Sequence, residues 1–146
     1  MKVLIFCMFM SLVSHATPQF KPNHLLMVEI RKGLDIYLAD CGIYPTTTQG
    51  LAALTSAPQT SPICDKWGPN PYWNPKRYYS YTLSWYERLW RWIKSEVDIT
   101  VPLDFWSHQY VYSYDESSKT YKLISYGRDG KEGGSGADQD LSSEEL

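Results

Sequence analysis

Residues 33–54, GLDIYLADCGIYPTTTQGLAAL, contain the end of one predicted helix and the start of another. Gly42 stands where a left-handed residue commonly ends a helix, and Pro45 prevents the helix from continuing. Before Gly42, apolar side chains recur at spacings of three and four, back to a potential N-cap at Asn23. The apolar stripe consists of Leu26, Ile30, Leu34, Tyr37, Leu38 and Cys41. The pattern predicts one long amphipathic helix.

The second half of the same stretch predicts a short helix. Thr46 is followed three residues later by Gln49, which is the form of a capping box. We expect this helix to carry Leu51 and Leu54 on its apolar side and to end before Pro58.

The chain after Pro102 changes to a period of two, which is typical of β-strands. Residues 109–114, QYVYSY, place Tyr110, Tyr112 and Tyr114 on one face. The turn DESS follows, and residues 119–126, KTYKLISY, return as the partner strand. The sequence therefore predicts an α+β fold in which a long N-terminal helix packs on a small antiparallel β-sheet.

Residues 59 to about 100 form a predicted aromatic-rich insertion, which holds five of the six tryptophans. Ser84 and Glu87 make a second capping-box pattern there. The face of the helix that would follow is lined by Trp85, Leu89, Trp92 and Ile93. Either the rings form a mini-core of the insertion, which we favour, or they are exposed and bind a glycan or peptide.

Length, net charge and the N-terminal residues limit the class of partner that the protein can bind and the compartment in which it acts. A length of 146 residues corresponds to one domain, and a formal net charge of -2 gives no basic surface for nucleic acid or an anionic membrane. Residues 1–16, MKVLIFCMFMSLVSHA, have the pattern of a secretory signal peptide, with an uncleaved N-terminal anchor as the alternative. Cleavage predicts a single domain of residues 17–146 that is periplasmic or secreted and has no stable membrane anchor.

Signal cleavage would remove Cys7 and leave Cys41 and Cys64. An even number of cysteines in an oxidising compartment favours a disulfide, which would stabilise the fold by about 3 kcal/mol in the chain-entropy model. Two separate buried thiols are the alternative.

Residues 126–140, YGRDGKEGGSGADQD, combine five glycines with three aspartates. Glycines allow sharp bends, and calcium prefers carboxylate and carbonyl oxygens, so the segment is either a cation loop or a flexible acidic tail. The EF-hand pattern fails, because Lys131 and Gly133 stand where oxygen ligands are needed after Asp129. A single copy of G-G-x-G-x-D cannot stack into a calcium-binding β-roll.

The sequence offers little support for an enzyme. His108, with Asp104 and Trp106 nearby, resembles a base with an orienting carboxylate, but such a trio is more often a polar turn. We therefore expect a protein without catalytic residues.

Two blocks of the sequence resemble the major pseudopilin (protein G) family of type II secretion systems. In the first, a Leu-Asp-x-Tyr stretch continues into Tyr-Pro-Thr-Thr-x-Gln-Gly-Leu. The matching residues are Leu34, Asp35, Tyr37, Tyr44, Pro45, Thr46, Thr47, Gln49, Gly50 and Leu51. The second block, SYGRDGKEGGSGADQDL at residues 125–141, resembles the family's glycine-rich segment with its closing Asp-x-Asp.

The resemblance implies the globular pseudopilin fold and a calcium ion that orders the C-terminal loop. The implied side-chain ligands are Asp129, Asp138 and Asp140, and the implied backbone ligands are the carbonyls of Tyr126 and Lys131. The sequence departs from the family at several points. We expect a Sec-type signal in place of the prepilin leader and membrane helix, and DFWSHQY at residues 104–110 stands where the family has Asp-Pro-Trp-Gly-x-x-Tyr. The insertion before this segment is enlarged, and Cys41 occupies a turn position that is usually polar.

These observations predict a non-enzymatic, calcium-binding, pseudopilin-like domain that is structural or accessory to type II protein secretion. Its expected partners are proteins, including components of the secretion apparatus. The alternative function is a secreted binding module whose Trp/Tyr-rich insertion holds a glycan or peptide.

Overall fold

A computed structural model describes residues 22–74 and 100–146 of the chain. The first element is helix α1, Pro22–Cys41, whose 20 residues extend for about 30 Å. Its predicted apolar stripe is largely confirmed, since Leu26, Ile30, Leu34 and Tyr37 are fully buried, together with Met27. Leu38 and Cys41 lie at the margin of the core.

The two ends of α1 differ from each other in how well the sequence predicted them. At the C-terminal end, Gly42 has a φ of +75° and its N–H donates to the Leu38 carbonyl at 2.8 Å, so the predicted C-cap is confirmed. At the N-terminal end, the prediction of a cap at Asn23 is wrong. Asn23 lies within α1, and its buried side chain bonds residues from the C-terminal half of the chain.

The predicted short helix is a 3₁₀ helix, Gly50–Leu54. The capping box that precedes it is confirmed, because the Thr46 N–H donates to Gln49 Oε1 at 3.0 Å and the Gln49 N–H donates to Thr46 Oγ1 at 3.2 Å. The Gln49 amide also donates to the carbonyls of Thr60 and Pro62, which holds the next segment against this helix.

The predicted hairpin consists of β1, Val111–Asp115, and β2, Thr120–Ser125, paired antiparallel with Tyr112 opposite Leu123. A third strand, β3, Leu141–Ser142, was not predicted; it pairs antiparallel with the end of β2. The sheet order is β1-β2-β3, so the glycine-rich segment connects two neighbouring strands.

One hydrophobic core lies between α1, the 3₁₀ helix and the sheet. Leu123 and Leu141 meet the buried face of α1 from the sheet, and Leu51 and Leu54 complete the cluster. Each fully buried leucine contributes about 1.5–3 kcal/mol relative to an exposed one. The predicted α+β architecture is therefore confirmed.

The first part of the predicted insertion packs on this common core. Trp73 is buried, the Trp67 Nε1–H donates to the Ala53 carbonyl at 2.8 Å, and Tyr72 donates to Asp40 at 2.9 Å. A Cβ on Gly33 of α1 would lie 3.1 Å from the Tyr72 carbonyl oxygen, so glycine allows this close approach. The described rings of the insertion therefore join the common core, and the expected mini-core of its remaining rings lies outside the described residues.

Cys41 and Cys64 form a disulfide, with their Cα atoms 5.1 Å apart. The bridge joins the end of α1 to the segment that Gln49 also holds. The alternative of two free thiols does not apply.

Several expectations fall outside the described residues: the signal peptide at residues 1–16 and the second helix of the insertion, with Ser84 and Glu87. Within the part of the chain that the structure describes, no helix is long and apolar enough to cross a membrane.

Candidate metal centre

Residues 126–140 form a closed loop between β2 and β3. At its neck, Ser125 pairs with Leu141 in the sheet, and the Arg128 N–H donates to the Ala137 carbonyl at 2.9 Å. A short 3₁₀ helix, Gly136–Asp138, leads back to the sheet. The segment is therefore folded against the domain, in contrast to the flexible acidic tail that composition alone allowed.

Two glycines allow close backbone approaches in the loop, one of them between its two arms. A Cβ on Gly127 would lie 2.6 Å from the carbonyl carbon of Asp138 and 2.7 Å from its oxygen. A Cβ on Gly134 would also collide with the Asp138 carbonyl, four residues further along the same arm, so this glycine permits the bend within that arm. Both glycines have positive φ, +69° and +82°, which other residues rarely adopt.

The three predicted aspartate ligands have different partners. Asp129 accepts a hydrogen bond from the Lys131 N–H at 3.1 Å, and Asp140 Oδ2 accepts from the Gly133 N–H at 3.0 Å. Both oxygens of Asp138 accept from the guanidinium of Arg128. This contact raises the pKa of Arg128, through the hydrogen bond first and the Coulomb attraction second.

The described residues contain no group of three or more His, Cys, Asp or Glu side chains arranged to hold a metal. The structure thus does not assemble the three predicted carboxylates into one ligand set. Asp140 is nevertheless suited to a cation, because its Oδ1 is buried and has no hydrogen-bond partner among the described residues. Calcium accepts backbone carbonyls beside a few carboxylates, so a loop with these oxygens fits it chemically.

The base of the loop rests on a buried polar network that the sequence analysis missed. The Ser125 hydroxyl donates to Asp104 Oδ2 at 2.7 Å and accepts from Asn23 Nδ2 and from the Gly127 N–H. Asn23 Oδ1 accepts from the Phe105 N–H at 2.7 Å. The available signal was a serine at a core-facing position of a strand, two residues after the buried Leu123.

His108 connects this network to the loop. Its Nδ1 lies 3.1 Å from the Gly127 carbonyl oxygen, and its ring lies against Gly130. Asp104 Oδ1 accepts the N–H groups of Trp106 and His108, so this carboxylate fixes the turn that carries the imidazole. The trio of Asp104, Trp106 and His108 is thus a polar turn that supports the loop.

Comparison with known families agrees with this architecture. The model of the family described as type II secretion system (T2SS), protein G, matches residues 14–82 and 87–144. The chain belongs to this family. The match extends to residue 144 and so includes the loop at residues 126–140 and strand β3.

Individual protein G relatives are similar over most of the chain. The type II secretion system core protein G of Pseudomonas aeruginosa is 31% identical over 112 residues, 77% of this chain and 61% of the relative. That of Vibrio cholerae serotype O1 is 31% identical over 115 residues, 79% of this chain and 61% of the relative. The chain thus spans about three fifths of the length of these relatives.

Similarity to a solved structure confirms the fold. The major pseudopilin from the type 2 secretion system of enterohaemorrhagic Escherichia coli superimposes with a TM-score of 0.57 at 23% identity. The match covers 86% of this chain and 85% of that one.

The alternative function of the insertion, glycan or peptide binding, stays a prediction. In residues 59–74, Trp73 is buried in the core and Trp67 is tied to the 3₁₀ helix. Trp85, Trp90 and Trp92 lie outside the described residues.

Proposed function

We propose that this protein is a non-enzymatic structural subunit of a type II secretion apparatus, and that its C-terminal loop binds one calcium ion. The observation that carries the proposal is membership of the protein G family, with a match that includes the loop. The Cys41–Cys64 disulfide supports a site of action outside the cytoplasm, because such bonds persist in oxidising compartments. Its partners would be other proteins of the apparatus.

The calcium proposal rests on the oxygens that the loop presents. Asp138 and Asp140 would hold the ion from the arm that leads into β3. Asp129 and the carbonyls of Tyr126 and Lys131 would hold it from the arm that follows β2. The buried, unpartnered Oδ1 of Asp140 supports this assignment, since a buried carboxylate oxygen without a partner is costly. When bound, calcium would supply charge neutralisation and would cross-link the two arms.

Thermal unfolding tests the calcium proposal. The purified chain should melt at a higher temperature with calcium than with EGTA, and magnesium should substitute poorly because it demands a smaller, octahedral site. Asp140→Asn should largely remove the calcium-induced rise. Asp65→Asn, which removes an exposed carboxylate outside the loop, is the matched control and should keep it. An equal rise in both variants would refute the assignment to the loop.

Gene deletion in the native host tests the structural role. We expect loss of type II secretion on deletion, with restoration by the wild-type gene and weaker restoration by the Asp140→Asn gene. Normal secretion in the deletion strain would contradict the proposal. If wild type and Asp140→Asn restore secretion equally, the structural role stands and the need for calcium does not.

A further inference from the structure

Arg128 and Asp138 form a two-pronged ion pair across the loop. Arg128 Nε donates to Asp138 Oδ1 at 2.8 Å, and Nη2 donates to Oδ2 at 3.1 Å. One guanidinium therefore occupies both oxygens of a carboxylate that would otherwise be available to a cation. The fork of an arginine suits a carboxylate in this way better than the point charge of a lysine.

Closure of the loop does not depend on this pair. The backbone N–H of Arg128 donates to the Ala137 carbonyl at 2.9 Å, which bridges the arms beside the ion pair. Gly127 is held separately, by Ser125 Oγ through its N–H and by His108 Nδ1 through its carbonyl. A residue with a neutral side chain at position 128 would keep the backbone bridge and lose only the charge contact.

We propose that Arg128 is a built-in competitor of the calcium ion for the carboxylate of Asp138, and that this competition lowers the calcium affinity of the loop. This inference rests on the proposed function. A divalent cation at 2.3–2.6 Å from a carboxylate oxygen would meet the positive charge of a guanidinium already on the same group. Binding must therefore displace Arg128 or tolerate its repulsion, and either one weakens the affinity.

The exposure of the pair limits the size of the effect. The side chain of Arg128 is 62% exposed and that of Asp138 is 31% exposed, so solvent screens their attraction. Exposed pairs of this kind change an equilibrium by about two- to five-fold. The sign is more informative than the size. A residue that only supports the loop would, when removed, weaken calcium binding, whereas a competitor would, when removed, strengthen it.

Calorimetric titration of the purified chain with calcium chloride tests the proposal. Arg128→Gln is expected to bind calcium about two- to five-fold more tightly than wild type. Arg128→Lys keeps the charge but loses the fork, and should lie between the two. Lys122→Gln, on the exposed side of β2, removes the same charge outside the loop and should change the affinity less than Arg128→Gln. Circular dichroism verifies that all variants fold.

Melting temperatures give a second readout. In EGTA, Arg128→Gln should melt at or slightly below the wild-type temperature, since it lacks the ion pair. The rise on adding calcium should be larger in Arg128→Gln than in wild type.

The outcomes separate the two proposals. If wild type binds calcium and Arg128→Gln binds it equally or more weakly, the competitor role is overturned and calcium binding stands. If Lys122→Gln tightens binding as much as Arg128→Gln, overall charge explains the effect and the competitor role is again overturned. Binding by Arg128→Gln alone supports the competitor role in a stronger form. If neither wild type nor Arg128→Gln binds calcium, the calcium site and the competitor role are both overturned.

Discussion

Two glycines of the loop provide a matched pair of alanine substitutions. Gly127 and Gly136 have similar positive φ values, +69° and +63°. A Cβ at Gly136 would meet nothing within 4 Å, whereas one at Gly127 would lie 2.6 Å from the carbonyl carbon of Asp138 and 3.0 Å from the Ala137 oxygen. Comparing Gly127→Ala with Gly136→Ala therefore separates the cost of the close approach from the cost of the left-handed backbone.

The expected magnitudes follow from these two terms. Each substitution should lower the unfolding free energy by about 1–2 kcal/mol, because an L-residue is strained at positive φ. Gly127→Ala also pushes a methyl group into backbone atoms, which cannot rotate away as a side chain can, and overpacking of this kind costs about 1–3 kcal/mol. We expect a loss of unfolding free energy of about 2–5 kcal/mol for Gly127→Ala and about 1–2 kcal/mol for Gly136→Ala.

Urea unfolding in EGTA, followed by tryptophan fluorescence, measures both variants without any contribution from calcium. Equal m-values would show that both variants unfold from equally compact native states. The difference in unfolding free energy should be about 1–3 kcal/mol, which corresponds to roughly 4–12 °C in melting temperature for a domain of this size. Equal losses in the two variants would refute the close contact between Gly127 and the opposite arm.

Three further predictions concern the structure around the loop. Asp104→Ala should lower the unfolding free energy by about 3–5 kcal/mol, because it leaves buried donors without an acceptor, and Asp104→Asn should lower it less. Urea unfolding measures both variants, and a loss below about 1 kcal/mol in Asp104→Ala would contradict the buried network. Replacing Cys41 and Cys64 together by serine should lower the unfolding free energy by about 3 kcal/mol in the same urea assay. A reductant should not change the unfolding free energy of this double variant. The pKa of Asp115 is lowered from 3.8 to about 2 by hydrogen bonds, that of the Ser117 hydroxyl first. A lowered pKa stabilises the folded state above pH 3.8, and this contribution is lost as the pH falls toward 2. In an NMR titration, Ser117→Ala should raise the pKa of Asp115. An unchanged pKa would exclude the Ser117 hydroxyl as the cause of the shift.

Local interactions of this chain are visible in its sequence, and long-range ones are not. The C-cap at Gly42 and the capping box of Thr46 and Gln49 join residues three or four apart, so the chain itself displays them. Asn23 was assigned to a cap because its residue type favours caps. Its real partners, Ser125 and the Phe105 N–H, are 102 and 82 residues away, and no local pattern indicates them.

The same reason explains what was and was not predictable in the loop. The residue types alone are informative here, because glycines indicate bends and aspartates indicate oxygen ligands. Strand β3 was missed because it has two residues, Leu141 and Ser142, too few for a period of two to appear. The contact of Arg128 with Asp138 spans ten residues through a closed loop, and its geometry depends on how the arms meet.

Two sets of interactions hold the loop, one centred on Ser125 and one on the aspartates that follow the closing bond at Ala137. The base is held by hydrogen bonds that are already satisfied: Ser125 Oγ donates one and accepts two, which uses its full capacity. On the arm that returns to β3, Asp138 is held by an exposed ion pair, and Oδ1 of Asp140 is buried without a hydrogen-bond partner among the described residues. A cation bound as we propose would therefore contact these two aspartates, whereas the hydrogen bonds of Ser125 Oγ are complete without it.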